Sequence, residues 1–473
     1  MASKFRLNSD TKSTLRFLES TAEVILLAVS YLLTYTFLYP ENTFPDYMTF
    51  GKIILFVIYF TLSWIFIKNS DGFEFGNLKV SELCVAQWIG IGITDVLTYL
   101  QLCLIANKLI NPLQFIGLLV GQVILSTLLV VVFSFIHRKL YAAHKMIMVF
   151  GTDNAVGMKI KMDYKKQHYK VDELISADKG FDEICEEIKK YESVIINDVD
   201  AKLRNDLLKY CFENNIRTYV VPKITDIIMR GATPINAFDT PMLLIKNTGP
   251  NLGQRFLKRA MDIAISLVGL LFASPFMILV ALAIKAEDKG PVFYKQKRAT
   301  INGKEFDILK FRSMIVNAEA AGLSIPATGN DPRITKVGRI IRATRLDELP
   351  QIINILKGDM SVVGPRPERI EHVQKYGEEI PEFAYRLKVK GGLTGYAQIY
   401  GKYNTSAYDK LRLDLMYIEN YSIFLDIKLI IMTVRILLSK ESTEGFDVAR
   451  SNEKKLRSML DKLHRDGKIN TKE

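Results

Sequence analysis

Apolar residues are concentrated in the first third of the chain, in four runs at residues 22–38, 53–67, 85–106 and 115–135. A helix needs about 20 apolar residues to cross the hydrocarbon core of a bilayer. The pattern therefore predicts four transmembrane helices within residues 1–140. We expect the first run not to be a cleaved signal peptide, because no small-residue cleavage pattern follows it and three more apolar runs do.

Charged residues at the ends of these runs predict the orientation of the bundle. The loop at 39–49 carries only acidic charge. Basic residues precede the first run, at Lys4, Arg6, Lys12 and Arg16, and follow the fourth, at Arg138, Lys139 and Lys145. Cytoplasmic loops of membrane proteins carry the excess of Lys and Arg. Both ends of the bundle, and the chain after the fourth run, are therefore predicted to face the cytoplasm.

Asp95 lies near the middle of the third run, where an ionised carboxylate is unfavourable. It should therefore face the other helices and find a partner or stay protonated. We favour a structural or dimer-packing hydrogen bond, although an intramembrane acid is also a functional candidate.

A fifth apolar run, at 263–284, has basic residues on both flanks and Ser274-Pro275 in its middle. Proline removes one helical hydrogen bond, and charge on both sides favours the same side of the membrane for both ends. We predict a re-entrant helix over about 260–285 that breaks at Ser274 and Pro275. The alternative is a proline-kinked helix that crosses the bilayer.

Residues 145–248 alternate short apolar runs with polar helical stretches. Strands are predicted at 146–150, 192–197 and 218–221, and a helix at 181–190, which indicates a parallel, Rossmann-like α/β module. The segment from Gly151 to Gly157 lacks a full GxGxxG, so regulation or dimer contact is favoured over cofactor binding. Asp198 and Asp200 resemble a metal-binding DxD, but a strand-to-helix turn capped by Asp200 is the simpler interpretation.

Two adjacent carboxylates, Asp347 and Glu348, precede an amphipathic helix. Pro350 tolerates only the first turn of a helix, so the helix is predicted to begin near Asp347 and to end at Gly358. Its buried face is predicted from spacing: Leu349, Ile352, Ile353 and Leu356. As an N-cap or first-turn residue, Asp347 should be ionised by the helix dipole, as a nucleophile requires, although a plain helix cap would look the same.

The surrounding sequence contains further motifs in a fixed order. The run RxxxxDELPQxxNxxxGDMSxVGPRP covers residues 342–367, and the other blocks are Lys258-Arg259-Ala260-Met261-Asp262, Gly290-Pro291-Val292-Phe293, Lys310-Phe311-Arg312-Ser313-Met314, Asp331-Pro332-Arg333-Ile334-Thr335, Gly392-Leu393-Thr394-Gly395, Tyr417-Ile418-Glu419-Asn420-Tyr421-Ser422 and Leu425-Asp426. Together they resemble the polyprenyl-phosphate phosphoglycosyl transferases, bacterial enzymes that start capsule, exopolysaccharide or O-antigen subunits. The resemblance covers residues 252–450 and implies a mainly helical, monotopic catalytic domain.

The resemblance implies a two-step reaction. Asp347 would attack the sugar-bearing phosphate of a UDP-sugar and expel UMP, and polyprenyl phosphate would then take the sugar phosphate from the aspartate. Glu348 would share a Mg²⁺ ion with Asp347, and the phosphate contacts would come from Arg342 and Arg366. Lys310, Arg312 and Asp414 lie in matching motifs, where salt bridges inside a compact domain are an equal alternative.

Composition adds a few limits. The net charge is +12, with 49% apolar residues, and the basic residues cluster near the apolar runs, which favours membrane lipids and phosphate substrates over nucleic acid. Residues 451–473 form a basic amphipathic tail that would lie on the membrane, pair with a partner or remain solvated. The five histidines show no zinc-ligand spacing.

The expected protein is a multi-pass enzyme of the bacterial inner membrane, with its soluble module and catalytic domain in the cytoplasm and a homodimer as the expected assembly. One alternative is a membrane-tethered nucleotide-sugar dehydratase or epimerase. Another is a non-enzymatic scaffold for polysaccharide assembly. The residues do not identify the sugar.

Overall fold

The computed structural model describes residues 9–38, 49–140, 144–152, 154–163, 169–245, 249–316, 318, 331–401 and 405–438. The described chain is mostly helical and divides into two compact units, centred on Met1–Val221 and Pro222–Thr433. Lys4, Arg6 and the predicted tail at 451–473 lie outside the described residues.

The first four helices contain the four predicted apolar runs. They are α1 (Ser9–Leu33, continued by a π-helical turn at Thr34–Leu38), α2 (Thr49–Asn69), α3 (Val80–Ala106) and α4 (Leu113–Leu140). Each is long and apolar enough, by length and composition, to cross a membrane. The helices are longer than the runs because their end turns carry polar residues, which the hydropathy pattern leaves out.

Asp95 is buried among these helices, as predicted. The Tyr59 hydroxyl lies 2.7 Å from Asp95 Oδ1 and 2.9 Å from Gln122 Oε1. The Gln122 amide in turn donates to the Leu27 carbonyl and the Ser30 hydroxyl. This chain of hydrogen bonds joins all four helices where no water is available, so a structural role for Asp95 accounts for its position.

An α/β region follows, with a parallel sheet in the order β2-β1-β3-β4. Its elements are β1 (His144–Phe150), α5 (Asn154–Asp163), β2 (Tyr169–Ser176), α6 (Phe181–Ile188), β3 (Ser193–Asn197), α7 (Ala201–Glu213) and β4 (Arg217–Val220). Three strands and α6 match their predicted positions to within two residues. Strand β2 was not predicted, because it lies at the sheet edge and alternates apolar with charged residues.

The second unit begins earlier than the predicted catalytic domain. Its first elements are α8 (Ile224–Arg230) and a hairpin of β5 (Thr233–Ala237) and β6 (Thr240–Leu244). Ile224 and Ile227 are buried in the same hydrophobic cluster as Val363 and Leu415. The described residues 222–245 therefore group with the predicted catalytic domain, whereas the sequence pattern places them in the α/β module. Local apolar spacing cannot show which core a short helix joins.

The remaining elements of this unit are α9 (Leu252–Asp288), β7 (Phe293–Ala299), β8 (Glu305–Phe311), α10 (Lys336–Ala343), α11 (Gln351–Lys357), β9 (Ser361–Val363), α12 (Ile370–Glu379), β10 (Gly392–Thr394), α13 (Tyr396–Tyr400), α14 (Ala407–Glu419) and α15 (Ile423–Leu438). Short 3-10 turns lie at Leu346–Glu348 and Pro381–Lys388. β7 and β8 form an antiparallel hairpin, and β9 pairs with β10 in parallel.

Helix α9 is continuous through Pro275, so the predicted break at Ser274 and Pro275 is not found. Pro275 has no N-H to give the Leu271 carbonyl four residues earlier. The Ser274 hydroxyl donates to that carbonyl at 3.1 Å instead. This substitute bond satisfies the freed backbone group and allows the helix to continue.

Both ends of α9 nevertheless contact the same compact unit. Near its start, Arg259 donates to the Leu356 carbonyl at 2.7 Å, and at its end Asp288 pairs with Arg312. Between these contacts the outward face is apolar and 55–70% exposed: Leu267, Leu271, Phe272, Ile278, Leu279 and Leu282. By length and composition α9 is, like α1 to α4, long and apolar enough to cross a membrane.

Candidate active site

The two adjacent carboxylates lie in a tight turn between α10 and α11. Arg345 has a left-handed backbone (φ 60°), after which Leu346–Glu348 form a 3-10 turn and α11 begins at Gln351. Asp347 therefore lies in a separate 3-10 turn, and α11 begins four residues after it, about one turn later than predicted. The N-cap position of the 3-10 turn belongs to Arg345 and that of α11 to Pro350, so Asp347 caps neither element.

This turn is held by apolar contacts on one side of α9. Leu346 and Leu349 pack against a buried cluster of Val280, Ile284, Phe311 and Ile341. Val280 and Ile284 belong to the C-terminal half of α9, whose opposite face is the exposed apolar one. The carboxylates are thus fixed next to the helix that is suited to lie in the membrane.

The buried face of α11 differs from the predicted one. Of the four apolar positions proposed from spacing, only Ile352 is buried, and the buried set also includes Gln351, Asn354 and Ile355. Asn354 donates to the Asp307 carbonyl at 2.8 Å and accepts from the Leu309 N-H at 2.9 Å. A polar residue is buried here because it completes the open backbone of β8, which an apolar side chain cannot do.

Glu348 is held between two cations from different elements. Its Oε1 accepts from Lys310 Nζ on β8 at 3.2 Å and from Arg366 Nη2 at 2.8 Å. Burial opposes ionisation of Glu348, but the charges of Arg366 and Lys310 hold its pKa well below the usual range. Burial also lowers the pKa of Lys310, against the raising effect of Glu348. The structure thus brings together three of the predicted site residues around one carboxylate oxygen.

Asp347 differs from Glu348 both in its partners and in the direction in which its pKa is shifted. Among the described residues its carboxylate forms no hydrogen bond or ion pair. Burial raises its pKa above the ordinary value, while the charge of Lys310 lowers it. Burial therefore opposes the ionised form that the helix dipole is expected to favour. The result is a partly buried carboxylate whose oxygens are available to a reacting group.

Arg342 is positioned to act on Asp347 by charge. It lies in the last turn of α10, and its charge lowers the pKa of both Asp347 and Asp331. Hydrogen bonds from Arg333 already hold the pKa of Asp331 at about 2. Arg342 is thus close to two carboxylates and has no hydrogen bond to either in the described part of the chain.

Arg312 lies apart from this group: its buried guanidinium forms an ion pair with the exposed Asp288 at the end of α9. The guanidinium occupies the space beside Gly290, where an added Cβ would lie 2.2 Å from Arg312 Nη1. The salt-bridge alternative thus describes Arg312, and the Gly290-Pro291 motif has a structural explanation. Lys310, in contrast, faces Glu348. Residues two apart in a strand point to the same side, but Arg312 lies just beyond the end of β8, so this rule does not apply to the pair Lys310 and Arg312.

Asp414 contacts the site indirectly. It is 1% exposed and pairs with Arg386, whose Nε and Nη2 lie 2.9 and 2.7 Å from Asp414 Oδ2. Arg386 Nη2 also donates to the Arg366 carbonyl at 3.0 Å. Asp414 therefore orients Arg386, and Arg386 fixes the backbone of the arginine that binds Glu348. Arg386 lies outside every quoted motif, so the sequence offered no signal for it.

Three further residues contact the elements around the site, although the sequence indicated only that they belong to a motif at the basic flank of the fifth apolar run. Lys258 pairs with Asp426 at 2.7 Å, and Arg259 donates to the Ile355 and Leu356 carbonyls at the end of α11. Asp262 accepts from the Ser361 hydroxyl and the Val362 N-H, both at 2.9 Å. The basic flank of the apolar run therefore also ties α9 to the helix that follows the carboxylates.

Few protein ligands are available for a metal ion. Among the described residues no group of three or more His, Cys, Asp or Glu side chains could hold one. Asp347 and Glu348 offer two carboxylates, and the first of them forms no hydrogen bond or ion pair within the described chain. This set fits Mg²⁺, which is bound through one or two carboxylates plus substrate phosphates, and it does not fit an ion held by protein alone.

Comparison with known proteins agrees with this geometry. Residues 253–440 match the family described as bacterial sugar transferase. The chain is 36% identical over 256 residues to the UDP-N-acetylgalactosamine-undecaprenyl-phosphate N-acetylgalactosaminephosphotransferase of Aeromonas hydrophila, covering 53% of this chain and 60% of that protein. It is 43% identical over 211 residues to the UDP-glucose:undecaprenyl-phosphate glucose-1-phosphate transferase of Escherichia coli (strain K12), covering 44% of each.

A protein of the same name from Caulobacter vibrioides is 39% identical over 211 residues, which cover 43% of this chain and 78% of that protein. The chain spans about half the length of the Aeromonas and Escherichia proteins. The family match at 253–440 includes Asp347, Glu348 and the basic residues around them. On these grounds the chain belongs to the bacterial sugar transferase family, the polyprenyl-phosphate phosphoglycosyl transferases.

Proposed function

We propose that this protein transfers a sugar 1-phosphate from a UDP-sugar to a polyprenyl phosphate, with Asp347 as the nucleophile. One observation carries the proposal: of two adjacent carboxylates, Glu348 is locked between two cations and Asp347 has no partner among the described residues. A nucleophile needs free oxygens, and a phosphate substrate needs oriented positive charge. The turn supplies the free carboxylate, and Lys310, Arg342 and Arg366 around it supply the positive charge.

The first step forms a bond between an Asp347 oxygen and the phosphorus that carries the sugar, and it breaks the bond from that phosphorus to UMP. In the second step an oxygen of polyprenyl phosphate attacks the same phosphorus and releases the Asp347 carboxylate. The acyl phosphate keeps a high transfer potential, so the pyrophosphate-linked product can form from it. UMP leaves as a phosphate monoester, and no oxidant or reductant is needed.

Positive charge for both steps comes from the neighbouring basic residues. The Arg366 side chain is 43% exposed although it pairs with Glu348, so part of its guanidinium remains available for phosphate oxygens. Arg342 and Lys310 act on Asp347 through their charge, which favours the carboxylate over the neutral acid. Mg²⁺ held by Asp347, Glu348 and the substrate diphosphate would neutralise further phosphate charge.

The acceptor is a lipid, so the site should lie at a membrane surface. The exposed apolar face of α9 and the basic residues at both of its ends support a monotopic arrangement on the cytoplasmic face. Single cysteines at Gly253 and Lys289, both exposed and at opposite ends of α9, test this. Labelling of both from the same side supports the arrangement, and labelling from opposite sides contradicts it.

We also propose a homodimer, from the hairpin of β5 and β6. An isolated two-stranded hairpin is marginally stable in water. Here nearly every residue of both strands is exposed, and Phe238 at the turn and Leu243 on β6 are 103% and 60% exposed. A second copy of the chain would cover this apolar surface. Mass photometry of wild type and Leu243→Lys tests it, with a monomeric variant expected.

The deciding experiment for the reaction is to supply the purified full chain with UDP-sugars and to follow UMP. Release of UMP together with a sugar-phosphate adduct on the peptide containing Asp347 supports the proposal. The named relatives act on different sugars, so a panel of UDP-sugars is required. A dehydratase or epimerase would alter the sugar and leave the nucleotide intact, and a scaffold would do neither.

A further inference from the structure

One end of the four-helix bundle contains a cavity that the proposed reaction does not use. The start of α1 and the end of α2 meet there, with the rings of Phe17 and Trp64 5.7 Å apart. The cavity measures about 180 Å³, and its lining combines charged, aromatic and small residues: Arg16, Phe17, Ser20, Trp64, Lys68, Asp71, Phe73 and Glu74. One water molecule needs roughly 10–15 Å³ by a comparable measure, so the space admits a larger group.

The depth of the cavity follows from its position on the two helices. Lys68 is in the last turn of α2, and Trp64 lies one turn earlier. Both α1 and α2 are long and apolar enough to cross a bilayer, so their ends reach the headgroup layer. Trp at this level and Lys just beyond it are the usual arrangement at a membrane interface. The cavity therefore opens among lipid headgroups.

The cavity presents donors that the protein does not fully use. Arg16 donates to Asn77 at 2.8 Å and contacts Glu74 at 3.4 Å, but its Nε is buried without a partner in the part of the chain that the structure describes. Lys68 is exposed and forms no ion pair with any described residue.

The two acidic residues of the lining are already engaged. Glu74 is the residue contacted by Arg16, and Asp71 lies 3.5 Å from Arg435. The charge of Lys68 is therefore left uncompensated at the rim, next to the incompletely bonded guanidinium of Arg16. The lining holds two basic and two acidic residues, and Arg435 adds a third cation beside Asp71, so one positive charge and the Arg16 Nε-H remain to meet an anion.

The wall of the cavity is aromatic and leads to lipid-exposed surface. The rings of Trp64 and Phe73 lie 5.2 Å apart, and Phe17 is 59% exposed on α1. The loop behind this wall is fixed: the Ser70 hydroxyl donates to the Ala86 carbonyl at 2.7 Å, and a Cβ on Gly72 would lie 2.6 Å from the Ile67 side chain. The space is thus preformed, with a cationic rim and an apolar side.

We infer that this cavity binds the phosphate of an anionic glycerophospholipid, with Arg16 and Lys68 on the phosphate and the acyl chains along Phe17. Basic pockets between membrane helices recognise anionic headgroups, and a guanidinium matches phosphate oxygens. Polyprenyl phosphate shares the phosphate group. The cavity belongs to the unit centred on Met1–Val221, whereas every described residue of the proposed reaction belongs to the other unit, so a structural lipid is the assigned occupant.

Tryptophan fluorescence provides a direct test on the full chain. The protein has two tryptophans, so Trp88→Phe leaves Trp64 as the only reporter. In neutral phosphatidylcholine nanodiscs, increasing fractions of acyl-brominated phosphatidylglycerol or brominated phosphatidylcholine are added, and quenching of Trp64 is measured. We expect the quenching by brominated phosphatidylglycerol to reach half of its maximum at a mole fraction on the order of tenfold lower than that needed with brominated phosphatidylcholine. Two basic contacts to the phosphate would produce a preference of this size.

Two charge variants in the same background make the test specific. The double variant Arg16→Gln, Lys68→Gln should abolish the preference for the anionic lipid. The double variant Arg16→Lys, Lys68→Arg keeps both charges and should keep the preference, so it is the control for misfolding caused by changing these two residues. Arg138→Gln with Lys139→Gln removes the same charge from the end of α4, outside the cavity, and should also keep it.

Three results would overturn the inference. The first is equal quenching by both brominated lipids in the parent protein. The second is a preference for the anionic lipid that survives in the Arg16→Gln, Lys68→Gln protein. The third is displacement of the brominated lipid by polyprenyl phosphate but not by unlabelled phosphatidylglycerol, which would assign the cavity to the acceptor of the proposed reaction.

Discussion

Two regions of this protein present carboxylates at a turn that precedes a helix, and they differ in charge. At the end of β1 in the α/β region, the Thr152 hydroxyl donates to Asp198 at 2.7 Å, and an added Cβ on Gly151 would lie 2.2 Å from the Asp198 carbonyl. At the start of α11, Glu348 lies between Lys310 and Arg366. The carboxylate of the turn at Asp198 is bonded to a hydroxyl of the same turn region, whereas the carboxylate of Glu348 is bonded to two cations.

The difference shows that the position of a site in a fold is a weaker guide than its charge. Ligands of parallel α/β sheets bind at the carboxyl ends of the strands where the strand order reverses, which here is between β1 and β3. That position holds Asp198 against Thr152 and contributes no oriented cation among the described residues. Asp200 occupies the N-cap position of α7 without a cap hydrogen bond. At the turn before α11, by contrast, β8, α10 and the Arg366 loop each bring one basic residue.

The largest effect should come from Asp347→Asn. The amide cannot form the acyl phosphate, so UMP release should fall by on the order of 10⁴-fold or more, and the covalent adduct should disappear. Single-turnover UMP release and mass spectrometry of the intact protein measure both. Persistence of an adduct in the variant would place the nucleophile elsewhere.

Glu348→Gln should have the next largest effect. It keeps the size of the side chain but removes the charge that orients Lys310 and Arg366, so we expect a loss of UMP release on the order of 100-fold. Titration of Mg²⁺ in the same assay shows whether the required concentration also rises. A rate close to wild type would mean that the two cations are positioned without Glu348.

Asp414→Asn tests the support behind Arg366. It leaves the buried Arg386 guanidinium with only the more distant Glu368 carboxylate, 3.8 Å away, which is expected to destabilise the protein by about 3 kcal/mol. The surviving folded protein should show a lower kcat with little change in KM for the UDP-sugar, because Arg366 shifts. Thermal unfolding and steady-state kinetics separate the two effects, and unchanged kcat would limit Asp414 to stability.

Lys310→Met should shift the pH dependence of the first step. Burial raises the pKa of Asp347 and Lys310 lowers it, so removal of Lys310 should raise the pKa further. The acid limb of the UMP-release profile is then expected at higher pH than in wild type, because the carboxylate is the reactive form. Lys295→Met, an exposed residue on β7, is the matched control. A shift to lower pH would contradict the assignment.

Asp198→Asn should have the smallest effect. Asp198 has a left-handed backbone (φ 53°), which Asn also adopts readily, so the turn should be preserved. We expect UMP release near the wild-type rate, measured beside Asp347→Asn. A loss comparable to that of Glu348→Gln would mean that the α/β region takes part in the reaction, and the two turns would then not differ in function.

Much of the architecture could be predicted because it depends on local pattern. Long apolar runs predict helices α1 to α4 and α9, since the membrane admits few other structures. Pro350 and Gly358 bound the helix after Asp347 through their own backbone restrictions. The motifs around the carboxylates were sufficient to indicate the family.

The pairing of residues distant in the chain was decided only by the tertiary structure. Nothing local to Arg386 predicts that it joins Asp414 to the Arg366 carbonyl, or that Arg312 turns to Asp288 while Lys310 reaches Glu348. The protonation tendency of Asp347 likewise depends on burial, which the helix dipole does not reveal. The sequence determines which groups are present and which backbone they favour, whereas distances, desolvation and opposing charges exist only after folding.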